Sequence, residues 1–191
     1  MDFIRIMKIQ IFAFVLLLWV GNVYSQNFEA YIIGGVSFSQ VDGDKLAGYN
    51  KAGLVAGGVT SFELKDGWAF QQEIVYYMRG SRATNSQLSI DNFSFRKLDY
   101  IDLIAQMKLA INDDWAAIGG MGYGIFVNVK SDVPEIKSSY RGDIFGTLGV
   151  QYLLSEKWYV LIKGQYSLIS ANKLFNAYNN SIHLSLRYRL F

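Results

Sequence analysis

The segment LSEKWYVLIKGQYSL (Leu154–Leu168) combines the two features that decide the fold, a short polar turn and an alternating strand. After the turn, one face carries Trp158, Val160, Ile162, Tyr166 and Leu168, and the other carries Tyr159, Leu161, Lys163, Gln165 and Ser167. Alternation with a period of two residues is typical of a β-strand with one apolar face. The segment also reaches the roughly 9–11 residues with which a strand crosses a membrane.

The rest of the chain repeats this unit. The final segment alternates in the same way, with Ile182, Leu184, Leu186, Tyr188 and Leu190 opposite His183, Ser185, Arg187 and Arg189. Less regular alternation predicts six more strands, so that the predicted set is Ala30–Ser39, Lys51–Leu64, Trp68–Gly80, Phe95–Ile111, Trp115–Lys130, Gly142–Leu154, Trp158–Ser170 and Ser181–Phe191. Eight strands with this pattern predict an all-β protein, an eight-stranded antiparallel up-and-down transmembrane β-barrel.

The connections between these strands alternate in length. Three are tight polar turns followed by tryptophan: LKDGW (Leu64–Trp68), INDDW (Ile111–Trp115) and LSEKW (Leu154–Trp158). The other four are long, namely Gln40–Asn50, Ser81–Asn92, Ser131–Arg141 and Ala171–Asn180. All long connections therefore lie at one end of the strands, as in outer-membrane barrels with short periplasmic turns and longer external loops.

The N-terminal segment has the features of a secretory leader. A basic start precedes the apolar run Ile9–Gly21, which is shorter than the roughly 20 residues of a spanning helix. The smaller side chains of Val23 and Ser25 follow, in the stretch Val23–Ser25 where a signal peptidase could cut. We expect residues 1–25 to be a signal peptide and residues 26–191 to be the barrel domain.

Composition excludes several classes of function. Of 18 Lys and Arg and 16 Asp and Glu, the leader removes Arg5, Lys8 and Asp2, leaving 16 basic and 15 acidic residues. This balance argues against nucleic acid as a partner. The chain has no cysteine, so it can form neither disulfides nor a thiolate metal site.

The period of two does not decide which face points outward. If the apolar face lined the inside, the protein would be a soluble, lipocalin-like periplasmic binder of an apolar ligand. If that face met lipid, the polar face would form an interior network of charges that neutralise one another. The predicted members of this network are Glu73, Asp102, Lys108, Asp143, Lys163, His183, Arg187 and Arg189.

The tryptophans favour the membrane interpretation. Trp68, Trp115 and Trp158 each open a strand on its apolar face, which places three indoles at one height. An indole has an apolar body and one N–H donor, which suits the headgroup boundary. We expect these residues to be membrane-interface anchors at the periplasmic rim. The candidates for the opposite rim are Tyr31, Tyr76, Tyr77, Tyr100 and Tyr123.

Four segments carry a family resemblance, namely Gly34–Gly58, Phe70–Gly80, Tyr100–Leu109 and Gly142–Gly146. In this order they resemble the PorT-like outer-membrane β-barrel proteins of Bacteroidota. Gly34–Gly58 (GGVSFSQVDGDKLAGYNKAGLVAGG) resembles their opening hairpin, and Phe70–Gly80 (FQQEIVYYMRG) is similar to their third strand. Tyr100–Leu109 (YIDLIAQMKL) resembles the family's Tyr-Leu-Glu-Ile-Pro strand, with Asp102 in place of glutamate and Ile104 where proline is usual. Gly142–Gly146 (GDIFG) is a weaker match to the sixth strand.

The resemblance implies an eight-stranded barrel in the outer membrane of a Gram-negative cell. Most members have no assigned activity, and the founding type is associated with the export of secreted proteases, a role that we do not transfer to this chain. The terminal Phe191 fits an outer-membrane insertion signal, although it falls in phase with Arg189 rather than with Tyr188.

No motif predicts a catalytic residue, a cofactor or a metal ion. His183 is the only histidine, and its pairing with Ser167 or Asp143 would be the basis of an alternative function, an outer-membrane enzyme. Val41–Lys45 (VDGDK) lacks the acidic residue that closes a calcium loop. The glycines in Gly119–Gly124 (GGMGYG) do not precede a helix, so a nucleotide-binding site is not predicted.

An eight-stranded barrel is filled by its own side chains, so a diffusion pore is not expected. We expect a monomeric, non-enzymatic barrel with a structural or interaction role, for which an envelope or secretion complex is one setting. Its expected partners are outer-membrane lipid and proteins that bind the long external loops. These loops carry the aromatic residues Tyr49, Tyr140, Phe175 and Tyr178.

Overall fold

The structure, a computed structural model, describes residues 28–43, 48–83, 95–131, 140–172 and 176–191. Its strands are β1 (Phe28–Asp42), β2 (Lys51–Lys65), β3 (Trp68–Arg82), β4 (Phe95–Ala110), β5 (Trp115–Ser131), β6 (Asp143–Ser155), β7 (Trp158–Ser167) and β8 (Tyr178–Arg189). Each strand pairs antiparallel with the next, and β1 pairs with β8 to close the barrel. The predicted eight-stranded up-and-down barrel is confirmed. The expected signal peptide lies outside the described residues, among which no helix is long and apolar enough to cross a membrane.

The apolar faces of the strands point outward. On β7 and β8, Ile162 and Leu184 are 51% and 47% exposed, whereas Lys163 and His183 are buried inside the barrel. This arrangement follows the alternation in the sequence, because successive side chains of a strand point to opposite faces. The soluble lipocalin-like alternative is therefore wrong, since it requires the apolar face to line a cavity.

Three tight turns connect the strands at one end. Asp66 and Gly67, between β2 and β3, both have positive φ angles, of 50° and 83°. Two such residues form the hairpin turn whose twist matches that of the flanking strands, and glycine adopts this conformation without a Cβ penalty. Before β5, the side-chain oxygen of Asn112 instead accepts bonds from the backbone N–H groups of Asp114 and Trp115, at 3.0 and 2.8 Å. Different turn chemistry thus produces the same result, a tryptophan that begins a strand.

The strand ends at the other rim differ from the predicted ones. β1 and β8 remain paired as far as Asp42 and Tyr178, so both strands extend further than their alternation indicated. β7 ends at Ser167 rather than at Ser170, and Leu168 makes only one backbone bond, to Ile144, before the chain bends. The length of a strand at this rim depends on pairing with its neighbour. The alternation within one strand does not predict that pairing.

The C-terminus changes phase after β8. Leu190 N–H donates to the carbonyl of Ala30, and Ala30 N–H donates to the carbonyl of Phe191, at 2.8 and 3.2 Å. Leu190 and Phe191 are both exposed, and the Phe191 ring lies 5.8 Å from that of Phe28. The terminal aromatic residue therefore lies on the apolar exterior although its position in the alternation predicts the interior.

Glycines allow the strands to approach closely on the inside. A Cβ added to the inward Gly35 would lie 2.4 Å from the carbonyl oxygen of Leu184. A Cβ added to its outward neighbour, Gly34, would meet nothing within 4 Å. The interior is thus too narrow for a side chain at every inward position, as expected for a barrel of eight strands.

Candidate functional site

The interior of the barrel contains two layers of buried charge. In the first, nearer the short turns, Glu73 accepts from Lys163 Nζ at 2.6 Å and also forms an ion pair with Arg187. Gln106 Nε2 donates to the same carboxylate at 2.6 Å. All of these side chains are almost completely buried. One carboxylate therefore compensates two cations, which leaves this layer positive.

The second layer has the opposite balance. Arg79 forms ion pairs with Asp102 and, at 3.4 Å, with Asp143. Gln165 Nε2 donates to Asp102 at 2.9 Å. Ser167 Oγ donates to Asp143 at 2.7 Å, so the carboxylates also receive neutral hydrogen bonds. The excess negative charge of this layer cancels the excess positive charge of the first.

Aromatic rings surround the guanidinium of Arg79. Its central carbon lies 5.0 Å from the ring centroids of Tyr100 and Phe145 and 5.3 Å from that of Tyr77. A desolvated cation near ring faces gains cation–π attraction in addition to its ion pairs. Arg79 therefore joins strands β3, β4 and β6 across the barrel.

His183 lies beside the second layer, to which Gln165 links it through Asp102. Its Nε2 lies 2.8 Å from Gln165 Oε1 and 3.0 Å from Ser181 Oγ, and its ring lies 4.4 Å from that of Tyr77. Ser167, considered as a catalytic partner from the sequence, bonds to Asp143 instead. The geometry gives His183 the contacts of a structural hydrogen-bonding residue.

Two of the eight predicted network residues lie apart from the other six. Lys108 Nζ and Arg189 Nη1 pair with Glu29 at 3.8 and 3.1 Å near the turn end of the barrel, where all three side chains are partly exposed. Glu73, Asp102, Asp143, Lys163, His183 and Arg187 form the buried part. The predicted network omitted Arg79, Gln106 and Gln165, although all three occupy inward positions. Their inward positions in the alternation are the sequence signal that indicates membership of the network.

An apolar cluster fills the interior at the loop end. It comprises Val41, Leu98, Tyr100, Val129, Tyr140 and Ala177, with Phe126 packed against it. Tyr140 was expected to be an exposed loop aromatic, but it is only 7% exposed and stacks on Phe126 at 5.7 Å. Phe175 and most of the residues of the long loops lie outside the described residues. The cluster closes the interior above the charged layers.

The three tryptophans lie on the outer surface at the turn end. Trp68, Trp115 and Trp158 are 43%, 45% and 45% exposed, and each is the first residue of its strand. Trp115 packs against Tyr152 with 4.7 Å between ring centroids, and Trp158 packs against Tyr188 at 4.9 Å. Amphipathic rings at one level are the arrangement found at membrane–water interfaces.

A second set of aromatic residues around the barrel, the external aromatic ring, faces outward near the loop end. Tyr76, Tyr123 and Tyr166 each lie eight residues after one of the three tryptophans and point to the same face. Eight residues span about 27 Å along a strand, or about 20 Å along the barrel axis at the usual strand tilt. This constant spacing is already present in the sequence. Tyr31, Tyr77 and Tyr100, also considered for this rim, are instead buried inside.

Tyr49, in the connection before β2, extends this aromatic rim. Burial raises its pKa, with further contributions from the nearby Tyr166 and Asp42.

The described residues contain no group of three or more His, Cys, Asp or Glu side chains that could hold a metal ion.

An apolar exterior between two aromatic rings and an interior with layers of paired ions define a small transmembrane β-barrel of the outer membrane. A family model described as the outer membrane protein beta-barrel domain matches residues 11–189. The chain therefore belongs to this family, and the outer membrane is its location. No curated protein matches the sequence.

Solved structures show the same fold. The attachment invasion locus protein Ail of Yersinia pestis is similar over 86% of this chain and 100% of its own, with 17% identity and a TM-score of 0.56. Neisserial surface protein A is similar over 83% of this chain and 96% of its own, with 12% identity and a TM-score of 0.55. A de novo designed transmembrane β-barrel is also similar, at 8% identity and a TM-score of 0.50. At these identities the likeness concerns the fold alone.

Proposed function

We propose that the protein is a monomeric, non-enzymatic barrel that acts as a structural and interaction component of the outer membrane, with its protein partners at the external loops. The observation that carries this proposal is the closed interior. The charges of Glu73, Asp102 and Asp143 are matched by those of Arg79, Lys163 and Arg187, and apolar side chains fill the loop end. The side chains inside stabilise the barrel, which leaves the loop end as the surface for recognition.

The absence of an enzymatic role is also part of this proposal. His183 and Ser181, the histidine–serine contact in the interior, are each 1% exposed. A nucleophile and its base must meet a substrate in a cleft. The burial of both groups supports a structural role for His183 and argues against the enzyme alternative.

We also propose that the chain belongs to the PorT-like branch of outer-membrane barrels. Two motifs that resemble this branch contribute to the buried charge. Glu73 occupies the glutamate position of the third-strand motif, and Asp102 occupies the acidic position of the fourth. Glu73 forms an ion pair with Lys163 on the distant strand β7, and Asp102 forms one with Arg79 on the neighbouring strand β3. The resemblance therefore concerns residues that hold the barrel together, and an envelope or secretion complex is the setting that we propose for it.

Two measurements test the proposed function. In planar bilayers, the purified protein should give no discrete current steps under conditions in which a general porin does, and stepwise conductance would contradict the closed interior. In intact outer membranes, a photo-crosslinking residue at Tyr49 should form protein adducts, whereas one at Asp113 in a periplasmic turn serves as the matched control. Adducts at Asp113 without any at Tyr49 would contradict a partner at the loop end.

A further inference from the structure

A basic patch lies on the outer surface at the loop ends of β3, β4 and β5. It consists of Arg82, Lys97 and Lys130. Lys97 and Lys130 are directly paired across β4 and β5, and Arg82 lies diagonally from Lys97 because it pairs with Phe95. Arg82 and Lys130 are exposed, and Lys97 is partly exposed. Directly opposed residues have Cβ atoms about 4.5–5.5 Å apart and diagonal neighbours about 7–8 Å, so the three cations form one surface.

A β-bulge creates this arrangement. Tyr100 pairs with Phe126 but Asp99 pairs with Asn128, so that Val127 is an extra residue in β5. Without it, Lys130 would have the inward phase of Gly124 and Phe126. The bulge turns Lys130 outward and places it beside Lys97.

The patch has more positive than negative charge. Asp99 lies in its midst and pairs with Lys97 at 3.3 Å. Three cations and one carboxylate leave an excess of two positive charges. Like charges directly opposite each other on a sheet destabilise it, whereas the ions of the two interior layers are paired. Among the described residues the patch therefore keeps a positive excess that an anion from outside the chain can balance.

The position of the patch indicates where that charge comes from. It begins just above the external aromatic ring, since the Tyr76 hydroxyl of that ring hydrogen-bonds Asp99. Ile101 pairs with Tyr76 and Met78 pairs with Asp99, so the apolar outward residues of β3 and β4 reach the lower edge of the patch. Long basic side chains at this level can keep their stems on apolar surface and their charged ends among headgroups.

The described loop ends of β1 and β8 themselves carry no cation. On β1 and β8, Asp42 accepts from Asn180 Nδ2 at 2.6 Å and from Gln40 Nε2 at 2.7 Å, so these polar groups satisfy one another.

We propose that Arg82, Lys97 and Lys130 bind the phosphate groups of an outer-leaflet lipid headgroup. The lateral, outward position at headgroup level favours a lipid over a soluble phosphate. Basic clusters next to a membrane-embedded segment attract anionic lipid in this way. The inference goes beyond the proposed function and does not depend on a protein partner or on a closed interior.

The test uses the purified barrel in nanodiscs of phosphatidylcholine, to which bis-phosphorylated lipid A or its dephosphorylated form is added. Bound lipid is counted by native mass spectrometry. We expect the phosphorylated lipid to bind about tenfold or more tightly than the dephosphorylated form. The triple variant Arg82→Gln, Lys97→Gln, Lys130→Gln should lose this preference.

The double variant Lys65→Gln, Lys157→Gln is the matched control because it removes exposed lysines from the periplasmic turns, and it should bind as the wild type does. The single variant Lys130→Gln, at an exposed position, should lose part of the preference even if the triple variant fails to fold. Equal binding of both lipids, an unchanged preference in Lys130→Gln, or inorganic phosphate that competes as well as the lipid would each overturn the proposal.

Discussion

At the scale of single residues, Glu73 has the most demanding environment. Its carboxylate lies between Lys163 and Arg187, receives Gln106 and has almost no contact with solvent. Buried ions lose their hydration, and mutual attraction offsets that loss only while every partner is present. These three partners lie on strands β4, β7 and β8. The Glu73 side chain, on β3, therefore links four strands of the barrel.

Removing the charge of Glu73 should therefore destabilise the barrel. Glu73→Gln keeps the shape of the side chain but leaves two buried cations without their carboxylate, and we expect a loss of about 3–5 kcal/mol in the free energy of unfolding. Urea unfolding of the protein in lipid vesicles measures this loss. Glu63→Gln, at an exposed position near the β2–β3 turn, should change stability by less than about 0.5 kcal/mol. Equal effects of the two substitutions would contradict the buried network.

The sequence predicted which face these residues occupy but not which of them meet. Period two placed Glu73, Asp102 and Lys163 on the polar face, and they are inside. The contact between Arg79 and Asp143 joins residues that are 64 positions apart, and its existence depends on the register of four strands. Lys108 and Arg189 share the inward phase but lie near the barrel mouth, where Glu29 is their partner. Alternation contains no information about such partners across the barrel.

At the scale of strands, the outward face has a defined vertical order. A tryptophan opens the strand at the periplasmic rim, apolar residues follow, and a tyrosine eight positions later marks the external rim. β6 runs the other way, so its outward Leu148 lies within the apolar band, 71% exposed, and Leu154 lies next to a turn, 54% exposed. Both leucines occupy outward positions in the alternation of β6, but they lie at different depths in the membrane.

This difference in depth gives a matched pair of substitutions. Leu148→Arg should cost about 2–4 kcal/mol of unfolding free energy, because arginine near the bilayer midplane is poorly solvated, and Leu154→Arg should cost about 0–1 kcal/mol near the interface. Denaturant unfolding in vesicles measures both. If Leu154→Arg proved as costly as Leu148→Arg, the depth assignment of β6 would be wrong.

The sequence predicted strands and tight turns well because local chemistry determines them. It placed the starts of β2, β3, β4, β5 and β7 at the observed residues. It did not predict the bulge at Val127, because the extra residue becomes visible only against the register of β4. The outward turn of Phe191 also depends on a neighbour, through the backbone bonds of the C-terminus with Ala30 on β1.

At the scale of the whole molecule, charge and apolar surface are separated. Within the described residues, the interior combines paired ions with apolar clusters, the exterior is apolar between two aromatic rings, and a basic patch lies at the external rim. A barrel of eight strands with such an interior is filled by its own side chains. Its available surfaces are the lipid-facing wall and the loop end, where the two proposed interactions lie.

The orientation of the apolar wall toward lipid is the central claim, and spin-label accessibility tests it most directly. The chain has no cysteine, so single cysteines at Ile162, Leu184 and Lys157 can each carry one label in the refolded barrel in vesicles. Labels at Ile162 and Leu184 should be relaxed strongly by oxygen, which concentrates in lipid, and weakly by a water-soluble nickel complex, whereas the label at Lys157 in the turn should show the reverse. Relaxation by the nickel complex at Ile162 and Leu184 as strong as that at Lys157 would contradict the claim.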